Sequence, residues 1–109
     1  MDAATQARME ARARILKALA HPTRLFMVDQ LAQQERCVAE LTAMVGADMS
    51  TISKHLSQLK AVGLLEDEKR GTQVFYRLAR PCVLNFFSCL EAVMQENLQQ
   101  QIFLVRPGA

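Results

Sequence analysis

The chain has 109 residues, half of them hydrophobic, with no Trp and a formal net charge of +2. That length suits one compact domain and excludes two, and the apolar share can build a core without disulfide or metal staples. No run approaches the roughly 18 consecutive apolar residues of a membrane span, and Met1-Asp2-Ala3-Ala4 lacks the basic-then-apolar order of a secretory signal; the expectation is a cytoplasmic protein of bacterial type.

Residues 5–19 read as a first helix, with Met9, Ala13, Leu16 and Ala20 near one face and Arg8, Arg12, Arg14 and Lys17 on the other. His21-Pro22 breaks it. Pro22 suits the first turn of a second helix over residues 22–33, whose buried stripe is Leu25, Val28 and Leu31. Residues 33–36 are a polar connector, and Cys37-Val38 is a short extended piece. A third helix is expected over 40–45, ended by Gly46 in the left-handed conformation.

After the tight turn Gly46-Ala47-Asp48, a fourth helix spans 50–62, with Asp48 or Ser50 as its cap. Ile52, Leu56, Leu59 and Val62 repeat at helical spacing and face the core. The remaining face has no acid and carries Ser50, Thr51, Ser53, Lys54, His55, Ser57 and Gln58. Hydroxyls, an amide and a lysine on one helix can bond base edges and phosphates in a DNA major groove. Gly63 stops the helix. Two strands follow, within residues 64–78, joined by Arg70-Gly71-Thr72-Gln73. Lys69, Arg70 and Gln73 at this hairpin's tip can reach phosphate or the minor groove. A last helix runs from Pro81 to about residue 100, and the end, 106–109, is expected to fray.

This order is a winged helix-turn-helix: mainly α with a small β-hairpin. The first and last helices exceed what one such domain needs and are natural dimer surfaces. Charge agrees, since residues 49–80 hold six Lys/Arg against three acids. No nucleophile–base set, phosphate loop or cofactor fingerprint points to an enzyme.

There are three Cys and two His. An odd thiol count in a cytosolic chain points to free thiols, metal ligation or redox sensing rather than a disulfide framework. Cys89 shares a helical stripe with Cys82, Phe86 and Val93, where packing as a small hydrophobe competes with ligation. Cys82 follows Pro81 at a helix start, where the dipole favours thiolate.

Five segments resemble the ArsR/SmtB family of metal- and metalloid-responsive repressors. They are Lys17-Ala-Leu-Ala-His-Pro-Thr-Arg-Leu25, Glu35-Arg-Cys-Val-Ala-Glu-Leu41, Ser50-Thr-Ile-Ser-Lys-His-Leu56, Gly63-Leu64, and Lys69-Arg-Gly-Thr-Gln-Val-Phe-Tyr-Arg-Leu78. The resemblance implies a homodimer that binds double-stranded operator DNA and leaves it when an inducer binds. The family's arsenic branch often carries two cysteines where this chain has Cys37-Val38-Ala39. Its zinc-type site uses Asp, His and Glu on the last helix, which here has no His, while Cys82 falls near one ligand position.

A winged fold lays the piece before the third helix beside the second wing strand, which ends four residues before Cys82. The expectation is a Cys37–Cys82 pairing within one subunit. Cys89 would complete a three-thiolate set after local distortion or from a second chain. Such a set suits a soft thiophilic ion, trivalent arsenic first, acting as inducer with no resident cofactor. The alternatives are a redox repressor switched by a Cys37–Cys82 disulfide or persulfide, and a winged protein–protein module without a sensor.

Overall fold

The computed structural model describes residues 1–105, with side chains through residue 101; the expected frayed end, 106–109, lies outside the described residues. Helix α1 spans Ala3–Leu19 and α2 spans Pro22–Gln33. Strand β1 is Arg36–Cys37, followed directly by α3, Val38–Val45. Helix α4 is Met49–Ala61, strands β2 and β3 are Leu65–Arg70 and Gln73–Leu78, and α5 is Val83–Val105.

Caps explain where helix starts depart from the periodicity. Asp2 accepts the Thr5 N–H at 2.7 Å, so α1 begins two residues before the apolar pattern does. The Cys37 N–H donates to Glu40 Oε1 at 3.2 Å, so α3 begins at Val38 rather than 40. At the other end, residues 80–82 form a turn, with Val83 N–H on Arg80 O at 3.1 Å and Leu84 N–H on Pro81 O at 3.0 Å. The last helix therefore starts at Val83, and Cys82 sits in the turn before it.

The sheet has order β1-β3-β2, antiparallel throughout. Arg70 pairs with Gln73, which leaves a two-residue turn, Gly71-Thr72, tighter than the four-residue turn the sequence suggests. Gly71 has φ +63°, the left-handed value such a turn demands.

The core lies where α2, α3, α4 and the sheet meet. Met27, Val28, Leu41, Ile52, Leu56 and Leu59 are fully buried, and Tyr76 of β3 closes the sheet side. The α4 stripe is as expected, with Val62 only partly buried. In α2, Met27 takes the interior place expected of Leu25, which is half-buried. Helix α1 departs most. Only Ala18 and Leu19 are buried, and Leu16 is exposed, because this chain alone covers little more than the last turn.

Candidate nucleic-acid interface

Helix α3, its turn and α4 form a rigid pair. Gly46 has φ +80°, and its N–H returns to Thr42 O at 2.9 Å, closing α3. Asp48 then opens α4. Its Oδ1 accepts the Thr51 N–H and the Ser50 hydroxyl, both at 2.8 Å. These bonds, the backbone one foremost, hold the Asp48 carboxyl at about 2. Of the two caps the sequence offered, Asp48 is the one used, and Ser50 supports it.

With the apolar stripe buried, Ser50, Thr51, Lys54, Ser57 and Gln58 are exposed together on α4. Ser53 is half-buried on the flank toward the wing, beside Gln73. Met49 also stands exposed at the start of α4. The sequence reading passed over it because a Met beside a turn carries no polar signal, yet its thioether chain suits apolar contact with a thymine methyl.

His55 is half-buried and engaged within the chain. Its Nδ1 accepts from Arg24 Nε at 2.9 Å, and its ring lies 4.4 Å from that of His21. Arg24 also donates to Ala18 O at 3.2 Å, and His21 Nδ1 accepts the Thr23 N–H at 3.1 Å. One cluster thus joins the end of α1, the start of α2 and the inner side of α4. Burial first, then the His21 and Arg24 charges, push His55 below its ordinary pKa. This histidine ties α4 to the start of α2 and is less exposed than Lys54 and Gln58.

The wing is tied down by ion pairs. Lys60 of α4 meets Asp67 at 2.8 Å, Arg77 pairs with Glu66, and Arg70 is held by Glu35 and Glu68. The three acids of residues 49–80 thus each neutralise one cation. Lys54 on α4 and Lys69 at the wing tip are exposed and, among the described residues, have no carboxylate partner. Gln73 is exposed opposite Arg70. Arg70, expected as a free wing-tip contact, is therefore already engaged.

The thiols are not brought together. Among the described residues no group of three Cys, His or acidic side chains is placed to hold a metal. β1 does lie beside β3, as expected, but the register sets Cys37 against Phe75. Cys37 is buried under a hollow with Val38, Ser53 and Gln73, whereas Cys82 lines a separate one with Ile15, Val62 and Phe86. Cys82 and Cys89 are both exposed, so Cys89 is not the core residue its stripe suggested.

A capped, acid-free helix presented beside a β-hairpin defines a winged helix-turn-helix domain of the DNA-binding class. Comparison with known proteins agrees. Residues 21–67 match the family model described as bacterial regulatory protein, arsR family. A biofilm growth-associated repressor of Agrobacterium fabrum is 37% identical over 77% of this chain and 74% of its own length. The chain belongs to the ArsR family, whose members regulate transcription and are not enzymes. It is also 40% identical to the HTH-type transcriptional regulator Rv0324 of Mycobacterium tuberculosis over 79% of this chain, but spans only 38% of that relative's length. The homodimeric winged helix-turn-helix domain of Mb0332 from Mycobacterium bovis superposes with a TM-score of 0.78 at 35% identity, covering 92% of this chain and 93% of that one. No described helix is long and apolar enough to cross a membrane.

Proposed function

We propose that this chain is a homodimeric transcriptional repressor that inserts α4 into the major groove of its operator and lays the wing on flanking backbone. The observation that carries the reading is the exposed, acid-free face of α4, with Thr51, Lys54, Ser57 and Gln58 presented together beside the Lys69 wing tip. The similarity to a named repressor supports the direction of control. Fluorescence anisotropy of the full chain on its own upstream DNA tests it. Affinity for that duplex above a scrambled one, falling steeply with salt, is the expected result. Equal and salt-insensitive binding to both duplexes would instead leave the protein–protein module.

The finer proposal is that a soft, thiophilic inducer, trivalent arsenic first, releases the operator through exposed thiols. Cys82 and Cys89 support this, because both are exposed on the single chain beside the apolar face of α5. They lie seven residues apart, Cys82 in the turn before α5 and Cys89 within the helix, and one small ion would draw a third group or a second copy of α5 to complete its thiolate set. Cys37, buried and in another hollow, is set apart from them. Arsenite added to the operator complex, with and without excess dithiol, tests the proposal. Release that dithiol reverses, and that Cys82→Ser abolishes, is expected. Release by oxidant alone, with a disulfide or persulfide found by mass spectrometry, would move the switch to redox chemistry.

A further inference from the structure

Arg70 stands at the wing tip, where a cation meets DNA phosphate in the operator complex proposed above, on which this inference rests. In the free chain it is already committed. Its Nη1 donates to Glu35 Oε1 at 2.6 Å and its Nη2 to Glu35 Oε2 at 3.2 Å, a two-pronged pair. Nη2 also donates to Glu68 Oε2 at 2.9 Å, and the guanidinium lies 4.6 Å over the Phe75 ring. Glu35 comes from the connector between α2 and β1, 35 residues away in sequence.

All three charged side chains are about half exposed, and ion pairs this exposed contribute little to stability. Their electrostatic effect is larger. Two carboxylates around one guanidinium cancel its charge and offset that of Lys69 beside it, which leaves the wing tip less attractive to a polyanion. Non-specific DNA binding is almost wholly a matter of counting cations free to displace counterions. A pre-paired arginine drops out of that count unless phosphate displaces its carboxylates.

We propose that Glu35 is a specificity-determining residue that competes with DNA phosphate for Arg70 and so restrains the wing's affinity for arbitrary duplex. The pair stays charged throughout the working pH range, since Arg70 holds Glu35 below the ordinary carboxylate value and the two carboxylates push Arg70 up. Glu68, two residues along the same strand face, is the weaker half of the same clasp.

The test is anisotropy of the full chain on an unrelated duplex and on its upstream DNA, across a salt series, for wild type, E35Q, R70Q and E35Q/R70Q. E35Q is expected to tighten the unrelated duplex about three- to tenfold at low salt and to steepen the log–log salt slope by roughly 0.9 per wing. Its gain on upstream DNA is smaller, so discrimination falls. In the R70Q background the gain disappears, which separates release of Arg70 from simple loss of a negative charge. E35Q with unchanged or weaker binding, or a gain that persists without Arg70, overturns the proposal. Circular dichroism confirms that each variant is folded. Wild-type protein with no salt-dependent duplex affinity would instead defeat the underlying DNA-binding reading.

Discussion

His55 lies on the same helix as Lys54 and Gln58, yet its Nδ1 is spent on Arg24 and its ring on His21. An acceptor nitrogen must be unprotonated, and a proton there would set a second cation against Arg24. Desolvation, with those two neighbours, lowers the folded-state pKa below the ordinary 6.5. The unfolded chain therefore binds the proton more readily. Stability from this site is complete above about pH 6.5 and is lost as pH falls through that value toward the lower folded one. Acids with lowered pKa, such as Asp48 at about 2, act only at much lower pH. His55→Asn keeps an acceptor for Arg24 but cannot titrate, so its urea midpoint should change less between pH 7.5 and 5.5 than that of wild type. Parallel curves for the two proteins would show that His55 does not set the slope.

At the scale of the element, α4 is one helix with two tasks divided by face. Ile52, Leu56 and Leu59 are fully buried, and Leu56→Ala should cost about 2–5 kcal/mol of stability in a denaturant titration. On the opposite face the effects belong to binding. Lys54→Ala should weaken upstream and unrelated duplexes alike and lower the salt slope by about one per subunit. Gln58→Ala should leave the slope alone and relax preference at one base pair, by about 1–3 kcal/mol; a binding-site selection experiment distinguishes the two. This division was legible in the sequence because one period of 3.6 residues separates the faces and Gly46 and Gly63 bound the helix. The wing was legible for the same kind of reason, alternation around a Gly turn. What stayed hidden depends on contacts distant in sequence. His55 belongs to Arg24 and Arg70 to Glu35, each more than 30 residues away, and periodicity carries no information about such partners. Cys37 and Cys82 line different hollows, which the sequence does not disclose. Knowing that β1 joins β3 does not say that Cys37 stands opposite Phe75.

The whole chain is too extended for a domain that folds only on itself. Its radius of gyration is 17.6 Å, against about 13 Å for a compact domain of this length. The excess accompanies α1 and α5, which carry most of the exposed apolar surface: Ile15 and Leu16 on one, and Phe86, Leu90, Val93, Met94 and Leu98 on the other. A face of this size in water marks an association surface, and the second copy proposed above would also set two recognition helices at a fixed spacing for a symmetric operator. Val93 is 48% exposed, so Val93→Glu removes little packing within the chain while placing a charge in the dimer seam. The variant should keep its helical circular dichroism and elute as a monomer in light-scattering chromatography. Its operator affinity should fall far more than its unrelated-duplex affinity, because only the specific complex requires both half-sites at once. A Val93→Glu protein that remained dimeric would place the interface elsewhere. A monomer that kept full operator affinity would show that one winged domain suffices for recognition.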